Sequence, residues 1–145
     1  MKVKDAMSRH CERIKIDESI KTAAQCMRDK DIGMVLVEDD KGEICGLLTD
    51  RDIACRAIAE GWDSNAEIGS CMSGDVISCH EEDDLEQAAD LMEREQVRRL
   101  LVRDVQGQPC GVLAQADVAR ALGRSPLIGE MLGEISQPTG KHSQR

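Results

Sequence analysis

The sequence predicts a mixed α/β (α+β) fold built from two copies of one small unit, each running strand, helix, strand, strand, helix. Three observations carry this expectation. The 145-residue chain aligns with itself without a gap at an offset of 65 residues, with 14 identities in the 54 positions from 4 to 57. Within each copy, apolar residues alternate between helical spacing and short β-rich runs. The chain has one Trp and neither Phe nor Tyr, so the core must be filled by Ile, Leu, Val, Met, Ala and Cys. A chain of this length forms one domain or two very small ones, and each repeat is too small to cover both faces of its sheet alone. The expected arrangement packs the two copies through their sheets as pseudo-twofold partners.

The elements follow in order. A lead segment ends at Met7-Ser8, matched by Met72-Ser73, and an extended stretch follows at 11–16 and 76–79. Ser19 and Asp84 stand where N-caps belong, ahead of Ile20, Ala23, Ala24, Met27 and of Leu85, Ala88, Ala89, Met92 at helical spacing. The β-rich runs 34–37 and 100–102 come next. Asp39-Asp40-Lys41-Gly42 and Asp104-Val105-Gln106-Gly107 then form hairpin turns. The strands after them, 44–48 and 110–113, lead into helices starting near Thr49 and Ala114. The boundaries read as 1–60 for the first repeat, 61–67 for a linker holding Gly61 and Trp62, and 68–122 for the second repeat. Beyond them, 123–145 is expected to hold one short helix near 128–132 and a disordered end from Pro138.

Composition narrows the function. With 19 basic against 28 acidic residues and a formal charge of -9, a phosphate backbone is a poor partner. A lone aromatic cannot supply the stacking that grips single-stranded nucleic acid. No nucleic acid is expected, and no membrane, since no apolar run reaches spanning length. Met1-Lys2-Val3-Lys4-Asp5 lacks the apolar region of a signal peptide, so a cytoplasmic location is expected. The seven cysteines are odd in number, widely spaced and free of any C-x-x-C pair, which argues against a disulfide scaffold or zinc ribbon. Cys26 and Cys45 read as small buried hydrophobes. His10-Cys11 and Cys79-His80 are soft-donor pairs, but isolated His and Cys are more often not ligands, and no metal is expected.

The run Gly46-Leu47-Leu48-Thr49-Asp50-Arg51-Asp52-Ile53, its second copy Gly111-Val112-Leu113-Ala114-Gln115-Ala116-Asp117-Val118, the lead segments 3–7 and 68–72, and Gln96-Val97-Arg98-Arg99-Leu100 together resemble a tandem CBS domain pair, the Bateman module. The resemblance spans positions 2 to 122. It implies a stand-alone, non-catalytic regulatory module. Such a module binds an adenosine-containing ligand (AMP, ADP, ATP, S-adenosylmethionine or NAD(H)) in clefts between its repeats, works with a regulated protein partner and forms a homodimer. No cofactor beyond that regulatory ligand is expected.

The residues give this expectation a chemistry. Thr49 and Asp52 lie three apart at a helix start and share one face. A hydroxyl and the unpaired N–H groups there suit a phosphate, and a carboxylate can accept from two vicinal ribose hydroxyls. The competing reading makes Thr49 a simple N-cap and Asp52 a first-turn acid complementing the helix dipole. In the second copy Ala114 lacks the hydroxyl while Asp117 keeps the carboxylate, and Arg98 and Arg99 are cations for a phosphate or surface partners of Glu93 or Glu95. Their first-copy equivalents, Gly33 and Met34, are uncharged. The first site thus has the better helix-start motif and the second the better cationic patch. The resemblance places the apolar walls of a base slot at 11–16 with 32–35 in the first copy, with Ile14, Gly33, Met34 and Val35 singled out, and at 76–79 with 97–100 in the second, with Val76 and Ile77 singled out. Most of these also read as core.

The rival function is a structural or protein-interaction module with degenerate sites, possibly metal-binding, and Ala114 favours it. Catalysis is not expected: no nucleophile–base pair or paired carboxylates emerge, and none of His10, His80 and His142 recurs at the repeat offset. Cys55 on the second helix is a candidate for contact with a partner subunit, and Trp62 for packing at the linker or at a dimer contact.

Overall fold

The computed structural model describes residues 1–9 and 11–123. His10, His142 and the expected helix and tail of 124–145 lie outside the described residues. Two three-stranded sheets and four helices make up the described chain. In order they are β1 (Arg13–Lys15), α1 (Ile20–Lys30), β2 (Met34–Glu38), β3 (Ile44–Thr49), α2 (Asp50–Asp52, continued by a π-helix over Ile53–Ile58), β4 (Ser78–His80), α3 (Leu85–Glu95), β5 (Arg99–Arg103), β6 (Pro109–Ala114) and α4 (Gln115–Leu122). A 3₁₀ turn opens each lead segment, Val3–Asp5 and Ile68–Ser70.

Each sheet has its middle strand between a parallel and an antiparallel neighbour, in the orders β1-β2-β3 and β4-β5-β6. A parallel pair needs a crossover, and α1 and α3 supply it. The antiparallel pair is joined by a hairpin whose Asp does the turning. Asp39 Oδ1 accepts from Lys41 N–H and Glu43 N–H at 2.9 and 3.0 Å, and Asp104 Oδ1 accepts from Gln106 N–H and Gln108 N–H at the same distances. Gly42 and Gly107 take φ +80° and +78° there, a region that costs a side chain about 1–2 kcal/mol.

Helix α1 buries Ile20, Ala23 and Met27, and α3 buries Leu85, Ala88, Ala89 and Met92. Ser19 caps α1 as expected, its Oγ accepting from Thr22 N–H at 3.1 Å. Asp84 occupies the matching position without a side-chain capping bond. Both helices end on a left-handed residue that is not glycine, Asp31 and Gln96. Cys26 and Cys45 are half-buried, not buried. The enclosed thiols are Cys71 and Cys79, because those two positions point into the cores that α1 and α3 cover.

Packing divides the chain differently from the repeat. Among the described residues, Met1–Cys11 joins 77–123 in one compact unit, and Glu12–Val76 forms the other. The boundaries 1–60, 61–67 and 68–122 follow the internal repeat, whereas each lead segment belongs to the body of the opposite repeat. Three physical ties hold it there. Its backbone supplies carbonyls to the first turn of the helix, as Met1 O does for Leu85 N–H (2.9 Å) and Ala66 O for Ile20 N–H (2.9 Å). Its apolar residue enters the core: Val3 packs with Leu85, Leu100 and Val118, while Ile68 packs with Ile20, Val35 and Leu48. Its Ser pairs with the glycine-bearing strand. Ser8 and Val112 exchange two backbone bonds of 2.9 Å, and so do Ser73 and Leu47.

Those pairings explain the repeated glycine. A Cβ on Gly111 would lie 2.5 Å from Ser8 O, and a Cβ on Gly46 would lie 2.5 Å from Met72 Sδ and 2.9 Å from Ser73 O. Only a residue without a side chain lets the lead segment cross so closely.

Candidate functional site

The register of each sheet gathers the sequence candidates at one end. Met34 stands opposite Thr49 in the first sheet, and Arg99 stands opposite Ala114 in the second. One residue further out, Asp50 N–H donates to Gly33 O at 3.0 Å and Gln115 N–H donates to Arg98 O at 2.8 Å. The strand-to-helix junction of each unit therefore holds Gly33, Met34, Thr49, Asp50 and Asp52 in one case, and Arg98, Arg99, Ala114, Gln115 and Asp117 in the other.

Thr49 and Asp52 close on each other as a capping box. Asp52 N–H donates to Thr49 Oγ1 at 3.1 Å, and Thr49 N–H donates to Asp52 Oδ2 at 3.0 Å. Thr49 is 2% and Asp52 3% exposed. Arg56, one turn on, stands with Nε 3.9 Å from Asp52 Oδ1 and donates from Nη1 to Met72 O at 3.5 Å. The N-cap reading of Thr49 is thus realised in the structure. It does not exclude a ligand, because a carboxylate has about four acceptor positions.

The second junction keeps half of this arrangement. Ala114 has no acceptor on its side chain, but Asp117 Oδ2 still accepts from Ala114 N–H at 2.9 Å. Arg120 Nη2 donates to Asp117 Oδ1 at 2.6 Å. The Asp117 side chain is 15% exposed, more open than Asp52. Arg98 and Arg99 are both half-buried here. Glu95, one of the anions considered for them, stands beside Arg94 at 3.9 Å.

The proposed slot walls divide. Gly33 and Met34 lie at the junction and are half-buried, but Val35 is fully buried and Ile14 is 8% exposed, and both belong to the core of their unit. Ile14 pairs with Val37, three positions along β2 from Met34, so the structure sets it about 10 Å of strand away from the Thr49 end. Val76 and Ile77 are half-buried, and Ile77 O accepts from Leu101 N–H at 3.0 Å.

Two features escaped the sequence reading. Ser73 is 2% exposed and its Oγ has no hydrogen-bond partner among the described residues, a state that buried hydroxyls rarely adopt. It follows Met72, whose carbonyl Arg56 reaches, so it belongs to the same corner as Asp52. The recurrence of Met-Ser at 7–8 and 72–73 was its only signal. The second is the geometry of α2, which runs as an α-turn over Asp50–Asp52 and then as a π-helix over Ile53–Ile58. Ala59 N–H bonds Ala54 O at 3.0 Å, a wide-turn pattern often found at functional sites. Its partner α4 shows no such stretch.

Three thiols are held in the neutral form by their surroundings. Burial foremost, then Asp83 and Cys110, pushes Cys79 up to about 12. Burial and the bond to Glu81 (3.2 Å) push Cys110 up to about 11, and burial and Asp52 raise Cys71 against the opposing pull of Arg56. Among the described residues no group of three or more His, Cys, Asp or Glu side chains is arranged to hold a metal ion. No helix there is long and apolar enough to cross a membrane.

Two repeated junctions on small sheets, each with an acid three residues past the strand end, define a tandem-repeat module. The CBS domain family model matches twice, at residues 3–57 and 67–124. This chain belongs to the CBS domain family. It is 34% identical over 134 residues to the CBS domain-containing protein YhcV of Bacillus subtilis (92% of this chain, 94% of that one). It is 32% identical over 112 residues to Hypoxic response protein 1 of Mycobacterium tuberculosis (77% and 78%). Among solved structures it resembles Hypoxic Response Protein I with two coordinated zinc ions (30% identity, TM-score 0.68, 83% and 98% covered). It also resembles CBSX2 in complex with AMP (25%, 0.66, 83% and 95%). A third likeness is the CBS domain pair of MJ0100 in complex with 5′-methylthioadenosine and S-adenosyl-L-methionine (26%, 0.73, 85% and 96%). The two matches make this chain a CBS-domain pair.

Proposed function

We propose that this chain senses an adenosine-containing ligand at its two strand-to-helix junctions and passes the occupancy to a partner protein, itself acting as a homodimer in the cytoplasm. One observation carries the reading. The acid at the helix start occurs twice, as Asp52 and Asp117, and accepts the N–H of the strand's last residue in both units (3.0 and 2.9 Å). Each carboxylate is thereby fixed in place, as a ribose-diol acceptor must be. The AMP complex of CBSX2 and the methylthioadenosine and S-adenosylmethionine complex of MJ0100 support an adenosine ligand. The buried Ser73 hydroxyl beside the first junction supports it too, since a bound polar group would supply its missing partner. A homodimer gains support from the exposed apolar surface on and after α2, where Ile58 is 61% and Trp62 36% exposed.

Calorimetric titration with AMP, ADP, ATP, S-adenosylmethionine and NADH tests the reading. Saturable heat that falls in Asp52→Ala or Asp117→Ala, with both variants still folded by circular dichroism, supports it. Absence of heat from all five ligands at high micromolar concentration sinks it. The rival reading, an interaction module with no ligand, draws on Ala114 and on the closure of Thr49 against Asp52, and would leave dimerisation as the sole measurable association.

A further inference from the structure

Among the described residues the exposed large apolar side chains are Met1, Ile58, Trp62 and Val105. Met1 and Val105 stand singly, Val105 on the β5–β6 hairpin turn. Ile58 and Trp62 are four residues apart, and Ala54, Cys55 and Ala59 around them are exposed as well. The positions 54, 55, 58, 59 and 62 have the spacing of one apolar helix face. Trp62 N–H donates to Ala57 O at 2.9 Å, which holds the indole's backbone one wide turn past Ala57, at the end of α2. The second copy does not share this face. There α4 carries Arg120 at the position equivalent to Cys55, its side chain 73% exposed, and Gly123 at that of Ile58. The fold therefore does not require the face to be apolar, and an exposed apolar patch marks a contact surface.

One segment of the chain matches that face. The sequence of 124–145, outside the described residues, carries Leu127, Ile128, Met131, Leu132 and Ile135. Their spacing of i, i+1, i+4, i+5 and i+8 is that of 54, 55, 58, 59 and 62. Ser125-Pro126 ahead of them are residues that open helices, and Pro138 follows. A helix this short is marginal in water by itself, so a segment of this pattern needs an apolar surface to lie on. The sizes are complementary too. The segment offers Leu, Ile and Met, whereas the face is small at Ala54, Cys55 and Ala59 and large at Ile58 and Trp62. Large side chains of one helix entering the gaps beside small ones on another let the two pack closely.

We propose that residues 127–135 of one copy seat as a helix on the α2 face of a second copy, which returns the same contact. This rests on the homodimer reading above and names the segment that makes the dimer. An exchange between two copies is isologous, so each dimer holds two such seats. The seat covers Ala54, Cys55, Ile58, Ala59 and Trp62, and it lies on the helix that opens with Asp50–Asp52.

The test is sedimentation velocity over a range of concentrations on the full chain, read beside Trp62 emission. Trp62 is the chain's one aromatic residue and lies in the seat, so its emission reports occupancy. The variants are Ile58→Asp and Ala59→Asp on the face, Leu132→Asp on the segment, and Val105→Asp as a control, each shown to be folded by circular dichroism. The wild type is expected to dimerise, with Trp62 emission moving to shorter wavelength as the dimer forms. Ile58→Asp and Leu132→Asp are each expected to raise the dimer dissociation constant at least about 30-fold, from a large apolar side chain lost to the contact. Ala59→Asp is expected to weaken the dimer in the same direction, and Val105→Asp to leave it unchanged. An equimolar mixture of Ile58→Asp and Leu132→Asp is expected to recover a heterodimer, because together they hold one intact seat. If Leu132→Asp or both face variants dimerise as the wild type does, or the mixture stays monomeric, the exchange is overturned while the homodimer reading stands. If the wild type is monomeric at every concentration, both fall.

Discussion

The sharpest consequence of the fold lies at Gly111. Alanine there places a Cβ 2.5 Å from Ser8 O, an oxygen held by two backbone bonds between Ser8 and Val112. Backbone cannot rotate away as a side chain does. Both bonds lengthen, at about 1 kcal/mol each, and the strand and lead segment part with packing losses of about 1–3 kcal/mol. The sum, about 3–5 kcal/mol, is a large share of the 5–15 kcal/mol typical of a domain. Gly46→Ala meets Met72 Sδ first and Ser73 O only at 2.9 Å. A thioether can swing aside, so about 2–3 kcal/mol is expected there. Gly107→Ala is the control: nothing lies within 4 Å of its Cβ and φ is +78°, so backbone strain alone costs about 1–2 kcal/mol. Urea unfolding followed by circular dichroism ranks the three, and amide exchange at Ser8 and Val112 locates the damage. The reasoning fails if Gly111→Ala costs no more than Gly107→Ala and leaves those two amides protected.

Three further outcomes follow from the same geometry. Deleting residues 1–8 removes Val3 from the core of the Ile77 unit and should unfold that unit first. Trp62, which lies in the Glu12–Val76 unit, should keep its native emission at denaturant concentrations where helical dichroism has already dropped; simultaneous loss of both signals would contradict the exchange of lead segments. Ala114→Thr restores the missing half of the α4 capping box and should raise the melting temperature by the equivalent of about 1 kcal/mol, while Thr49→Ala should lower it by about as much; calorimetric melts decide, and a destabilising Ala114→Thr would count against the shared geometry. Cys79 is held protonated by burial, with its folded value raised to about 12 from 9.0. Its contribution is therefore complete below about pH 9 and lost as pH climbs toward 12, so Cys79→Ala should flatten the alkaline limb of the stability curve, measured by urea midpoints across that range.

Much of this molecule was legible residue by residue. Helical spacing located α1 and α3, the Asp-x-x-Gly runs located both hairpins, and the repeat located both strand-to-helix junctions. These are local signals, since a cap, a turn or a helix face is written in neighbouring residues. What escaped was non-local. Nothing around Met7-Ser8 says that its backbone will pair with Val112 and not with Leu47, because a main-chain ladder is nearly indifferent to the side chains on it. The recurrence of Gly46 and Gly111 is plain in the sequence, but the segment that passes over each is seen only in the structure. Burial at the site was hidden for the same reason. Asp52 and Asp117 are equivalent in sequence, yet one is almost sealed and flanked by Arg56 and Met72, and the other is partly open.

The repeat therefore has to be read in two ways. Positions that match between the copies, such as Met7 with Met72, Gly46 with Gly111 and Asp52 with Asp117, each have a structural duty in both units: crossing a strand, permitting the crossing, or accepting the N–H at a helix start. Their recurrence follows from the fold whether or not anything binds. Positions that differ are free of that duty. Gly33 against Arg98 and Asp50 against Gln115 share the same backbone bond and so cannot differ for the sake of the backbone. Nor are they enclosed in a core that would dictate their size. What changes between them is charge at the mouth of the junction. The information specific to each half of a duplicated module of this kind thus lies where the halves disagree, and here they disagree in the side chains at the strand-to-helix junction.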